Sequence, residues 1–210
     1  MQDMRQRVGL DPPAASAQAV APLPPPPDPK TQMAELETRI SLLVEETRRK
    51  LDPNTKLLRL DDRLVKIARL RAADMTAKNA FTSNPQDGKT AAALLMESDA
   101  QYQGLLGENA AAQHYVAQSG VDPKLFAERF LETWLGSPAH RENLMFPDYD
   151  RVGVGAAVNA DTVYVALLFS TTTRNRGIGT VSNFDSPAEA RDALPPKPPA
   201  TAIPLRGAAQ

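Results

Sequence analysis

"RVGVGAAV", residues 151–158, then "NAD", then "TVYVALLFS", residues 162–170, is the stretch on which the fold turns. Two runs with β-branched residues on alternate positions flank a tight turn, which predicts an antiparallel hairpin. Everything with a clear period upstream of it is helical apart from one short segment, "LLGENAAAQ" (105–113), which reads as extended. Helices, a short strand, more helices and a closing hairpin predict a mixed α+β layer fold, not βαβ winding. Gly153 and Gly155 lie inside the hairpin pattern, and no Gly-rich loop follows a strand, so nothing here argues for a nucleotide phosphate site.

The helices declare themselves by spacing. "TQMAELETRISLLVEETRRKL" (31–51) places Met33, Leu36, Ile40, Leu43, Val44 and Leu51 three and four apart, and Pro53 stops it. "LDDRLVKIARLRAADMTAKN" (60–79) follows, with Asp61 or Asp62 as N-cap and Leu64, Ala68, Ala72 and Met75 on one stripe. Its small alanines predict close packing on another element. Thr90 is placed to cap a short helix through Met96. Asp122 and Pro123 start another, in which Phe126, Phe130 and Trp134 recur every four residues until Gly136. That aromatic stripe is core before it is a binding platform.

Composition sets outer limits. A chain of 210 residues carries one substantial core. With 24 Lys and Arg against 25 Asp and Glu, the net charge of −1 gives no global field to attract nucleic acid or an anionic membrane. No apolar run reaches the roughly 18 residues of a membrane span, and the first 30 residues lack the apolar block of a secretory signal. The absence of cysteine excludes a disulfide framework and thiolate chemistry but leaves the compartment open. Of 19 prolines, eight fall in 1–30 and six in 171–210. Both segments are therefore expected to be disordered Pro-rich tails, spacers or docking segments unable to form helix or central strand, flanking a domain at 31–170.

One cluster within that domain concentrates chemistry. "SPAHRENL" (137–144) holds a hydroxyl, one of the two histidines, an arginine, a carboxylate and an amide. A serine after a helix-ending glycine and before a proline has the form of an N-cap, so the Ser137 hydroxyl is expected to accept from the backbone two or three residues on. That use leaves it no role as a nucleophile, which would need an adjacent base and an oxyanion hole.

"LRLDDRLVKIARLRAADM", a phenylalanine ahead of "DGKT", "GEN", a tryptophan three residues before "SPAHRENL", and "RVGVGAA" with a closing strand come in the order seen in one family. From about residue 36 to 170 the chain resembles the bacterial branch of the CAP superfamily, which groups cysteine-rich secretory proteins, antigen 5 and pathogenesis-related 1 proteins. The resemblance implies a three-layer α-β-α sandwich with a central cleft, secreted or periplasmic, although the signal peptide is absent from the sequence. It also implies a cleft set of histidines and acids able to hold a divalent metal. By motif, Glu108 and His140 match. The position of the first family histidine falls in "FTSN", on Ser83 or, with a one-residue slip, Asn84, and the second acidic position falls on Ser137. Catalytic zinc normally has three protein ligands, and hydroxyl or carboxamide replaces imidazole poorly. No cofactor is expected, and at most a weakly bound divalent metal on Glu108 and His140.

Glu108 is costly to bury unless paired, and a cationic His140 would pair with it, either as a structural contact or as an acid–base couple. Arg71 is a further cleft candidate, as ligand contact or partner of Glu108, with a solvated position the default. His114 reads as a surface imidazole in a loop. Asn109 and Asn143 are expected to satisfy backbone groups, and Arg141 and Glu142 to face solvent. The functional expectation is a non-enzymatic binding module for a lipid or cell-envelope ligand, with cleft residues Arg71, Ser83, Asn84, Glu108, Ser137 and His140. The alternatives are a hydrolase using Glu108 and His140, and a scaffold that docks protein partners through its Pro-rich tails.

Overall fold

A five-stranded sheet in the order β1-β3-β4-β2-β5 divides the molecule into two helical layers. The computed structural model describes residues 24–78, 89–171, 199 and 202–205. The strands are β1 (Arg59–Leu60), β2 (Gly104–His114), β3 (Arg151–Asn159), β4 (Thr162–Ser170) and β5 (Ile203–Leu205). β3 and β4 form the expected hairpin, with Asn159 opposite Thr162 and Ala160 in the left-handed region at φ 49°. β2 runs antiparallel to β4 along its whole length, from Leu106 opposite Ser170 to His114 opposite Thr162. It extends the expected 105–113 segment by one residue at each end.

The period of two along β2 and β4 sorts the two cores. Ala111, Val163, Val165, Leu167 and Phe169 face a layer formed by α1 (Pro29–Leu51), α4 (Pro123–Gly136) and α5 (Pro138–Met145). Leu106, Ala110, Tyr164, Ala166 and Leu168 face α2 (Asp62–Lys78) and α3 (Ala91–Ser98). This is the α-β-α arrangement expected from the motif order.

Side chains cap four of the helices. Asp28 accepts from Lys30 N at 3.0 Å ahead of Pro29, Asp61 from Arg63 N at 2.9 Å, Thr90 from Ala93 N at 3.1 Å, and Asp122 from Lys124 N at 2.8 Å. Met33, Leu36, Ile40 and Val44 are buried as the stripe required; Leu51, one turn past the core, is exposed. The alanine stripe of α2 lies directly on β3. A Cβ at Gly155 would overlap the Ala68 backbone and one at Gly153 that of Leu64, so both glycines serve helix–sheet contact.

Much of both Pro-rich tails lies outside the described residues. Two findings do bear on them. α1 begins at Pro29, inside the segment expected as N-terminal tail, because Asp28-Pro29 is a helix start in its own right. Ile203–Leu205 form an edge strand rather than unordered tail.

Candidate functional site

Three consecutive residues of β2, Gly107, Glu108 and Asn109, build the site by facing alternate sides of the sheet. Asn109 faces the α1, α4 and α5 layer and is fully buried. Its Nδ2 donates to the His140 carbonyl at 2.9 Å, and its Oδ1 accepts from Asn143 Nδ2 at 2.9 Å. Asn143 in turn accepts from the Tyr149 hydroxyl at 2.8 Å. Tyr149 stacks on Phe169 with ring centroids 5.2 Å apart, and burial pushes its phenol well above the ordinary range. This neutral chain joins β2 to α5 and fixes the backbone that presents His140. Gly107 makes room for it, since a Cβ there would overlap both the Asn143 amide and the Tyr149 ring. Asn109 and Asn143 thus satisfy internal groups, as expected, whereas the central role of Tyr149 had no periodic signal to reveal it.

Arg48 supports the same region from α1. Its fully buried guanidinium donates to the carbonyls of Leu144, Phe146 and Tyr149, the last two at 3.0 and 3.4 Å, and lies 5.9 Å over the Phe169 ring. Burial lowers its pKa to about 10, against the opposing influence of Glu45, Tyr149 and Asp52.

Glu108 leaves β2 on the other face. Its Oε1 accepts from Arg71 Nε at 3.0 Å, and Arg71 also lies 3.6 Å from Asp74. Burial pushes the Glu108 carboxyl above its ordinary 4.5, against the charge and hydrogen bond of Arg71. Arg71 is completely buried, which corrects the expectation of a solvated position. It stands three residues past Ala68 and seven past Leu64, on the apolar stripe itself, where a guanidinium reaches the sheet only if a carboxylate meets it.

The expected pairing of Glu108 with an imidazole is therefore replaced by a pairing with Arg71. His140 belongs to α5, on the layer opposite Arg71, and among the described residues no hydrogen bond or ion pair joins it to Glu108 or to Ser137. Its Nδ1 is buried and finds no hydrogen-bond partner among them. Burial lowers its pKa below 6.5, so the ring is neutral at neutral pH.

Ser137 occupies the N-cap of α5, but its side chain makes no capping bond. The residue is shared between two helices. Its N–H closes α4 on the Trp134 carbonyl at 3.3 Å, and its carbonyl opens α5 by accepting from Arg141 N at 2.8 Å. Arg141 and Glu142 are exposed, and Trp134 is core, as expected. His114 is exposed, as expected, but ends β2 instead of lying in a loop. Ser83 and Asn84 lie outside the described residues.

Among the described residues no three of His, Cys, Asp and Glu cluster closely enough to hold a metal ion. Glu108 already engages a buried arginine, and His140 belongs to a helix of the other layer. No helix among the described residues is long and apolar enough to cross a membrane.

The comparisons with known proteins agree with the fold. A search of curated proteins finds no match. Among solved structures, an outer surface protein of Borrelia burgdorferi is 24% identical over 66% of this chain and 94% of its own, with a TM-score of 0.55. An extracellular protein of Bacillus anthracis containing an SCP domain is 26% identical over 72% of this chain, with a TM-score of 0.54, and the match spans only 45% of its length. The family described as the cysteine-rich secretory protein family, CAP, matches residues 48–171, more than half of the chain. The protein is a member of the CAP family.

Proposed function

We propose that this CAP domain is an extracytoplasmic, non-enzymatic binding module that takes a lipid or cell-envelope ligand beside β2, with His140 as its hydrogen-bonding contact. The observation that carries this reading is the division of labour between Glu108 and His140. The carboxylate is held by Arg71 on one layer, while on the other stands a neutral imidazole with a buried Nδ1 that has no partner among the described residues. An acid–base couple needs both groups on one reacting centre within hydrogen-bond reach. A neutral imidazole with a ring nitrogen unused among the described residues suits a polar ligand group instead, because a buried polar atom without a hydrogen bond costs about 1–3 kcal/mol that a ligand recovers. Similarity to an extracellular Bacillus anthracis protein supports the compartment.

The test uses purified wild-type protein beside His140→Ala, probed with phosphatidylglycerol vesicles and with soluble peptidoglycan fragments. One probe is expected to bind saturably, to bind about tenfold more weakly to H140A, and to be recovered chemically unchanged. Equal binding by both proteins removes His140 from the site. Cleavage of the probe overturns the non-enzymatic reading in favour of a hydrolase.

A further inference from the structure

The sheet has two edges, and the chain closes them by different means. At the β3 edge, beyond the two residues paired with β1, the Ala156 N–H donates to Glu37 Oε1 at 3.0 Å. Glu37 is a buried residue of α1 and is gripped by Arg69 Nε at 3.0 and 3.1 Å. That closure is a side chain of a long helix and cannot leave without it. At the β2 edge the closure is β5, three residues near the C-terminal end of the sequence.

The register of β5 has a chemical logic. Leu105 N donates to Thr171 Oγ1 at 2.9 Å and Leu105 O accepts from Thr171 N at 3.1 Å, so both backbone groups of Leu105 point toward the β4 side. Gly104 and Leu106 therefore turn theirs outward. In an antiparallel ladder the bonds then fall to Leu205 opposite Gly104 and Ile203 opposite Leu106, while the pair Leu105–Pro204 between them exchanges none. Proline, which has no N–H, stands at the one position of the three where the ladder asks for none. It also denies a donor to any further strand on the outside of β5. Leu205 is 8% exposed and joins the core with Leu106 and Leu95, whereas Ile203 is 45% exposed. One apolar anchor and a three-residue ladder hold this strand.

We propose that the β2 edge at Gly104–Leu106 is a strand-addition site for extended peptides carrying proline between two apolar residues, and that Ile203-Pro204-Leu205 is its resident, displaceable occupant. Main-chain bonds to Gly104 and Leu106 supply affinity, and the pocket filled by Leu205 together with the silent position opposite Leu105 supplies selectivity. The site is independent of the His140 contact proposed above: β5 ends opposite Leu106, and His140 lies on the other layer from the Leu205 anchor. A tethered occupant competes at an effective concentration on the order of 1 mM, so a free peptide registers fully only once the resident strand is weakened.

The test keeps the full chain and substitutes Leu205→Asp, with a fluorescein-labelled peptide TAIPLR, the sequence of residues 201–206, followed by polarisation and by amide shifts at Gly104 and Leu106. L205D is expected to bind the peptide at least tenfold more tightly than wild type. The isomer TAPILR, which moves proline to a position that must donate, is expected to bind at least tenfold more weakly than TAIPLR. Equal binding of the two peptides, or none to L205D that circular dichroism shows to be folded, overturns the proposal. Should L205D unfold, hydrogen exchange of the wild-type chain replaces it: excess TAIPLR is expected to speed exchange at Ile203 and Leu205, and no change overturns the proposal. A full-chain dimer that excess TAIPLR does not dissolve assigns the edge to a second copy and overturns it too.

Discussion

Replacing Arg71 by Met separates the charge of the buried pair from its volume. Arg71 supplies both influences that lower the Glu108 pKa, its charge and its hydrogen bond, and burial already outweighs them. Removing one partner of a buried pair costs about 3–5 kcal/mol. The Glu108 side chain keeps 18% exposure, so the lower end, about 3 kcal/mol at pH 7, is expected. The pH dependence fixes the cause. A carboxyl whose folded pKa is raised above its unfolded value penalises the fold when ionised, and the penalty disappears as pH falls below the unfolded midpoint. In R71M that folded pKa rises further, so the variant's native state binds more protons than the wild type's across the acidic range. The deficit relative to wild type must then shrink on acidification, to about 1 kcal/mol near pH 4, the remainder reflecting lost packing and other hydrogen bonds. Urea denaturation followed by circular dichroism at pH 7, 5.5 and 4 measures this directly. A second variant, R71M with Glu108→Leu, is expected to recover most of the loss at pH 7. A deficit independent of pH, or one that grows on acidification, refutes the reasoning.

Arg48→Met is expected to cost about 3 kcal/mol, because three buried carbonyls lose their donor at once; urea denaturation with an unchanged m-value checks it. Ala160→Gly is expected to raise stability by about 0.5–1 kcal/mol, since the left-handed turn position strains a Cβ; thermal unfolding reads it. His140 is expected to titrate below 6.5 by NMR, and from this group stability rises with pH through the window between its depressed folded midpoint and 6.5.

What could be read in the sequence follows physical lines. Helices long enough to show a period, with Asp122 or Thr90 as cap, were legible, as was the hairpin. β1 and β5 were not, because two and three residues hold no period and their pairing is decided by distant segments. The apolar stripes themselves carried more than they first gave. Glu37, Arg48 and Arg71 each fall on the inner face of a helix, among Met33, Leu36, Ile40 and Val44 or among Leu64, Ala68 and Met75, and each is buried and paired. A charge on an apolar stripe is a demand for a partner, although one chain read alone does not name it. For Arg71 that partner is Glu108, so the motif that pointed to a pair between Glu108 and His140 was misleading as a contact. Ser137 had every local mark of a side-chain cap, yet sharing one residue between two helices gave the task to its backbone.

The Arg48 clamp also bears on the birth of the protein. Its three acceptors lie 96 to 101 residues downstream. At roughly 5–20 residues per second of synthesis, Arg48 is added to the chain on the order of 5–20 s before the residues whose carbonyls receive it. Through that interval the first helix has a cation on its apolar side with only carboxylates of its own segment, Glu45 and Asp52, to offset it. The residue that ties the first helix to the finished architecture is thus made well before anything it holds.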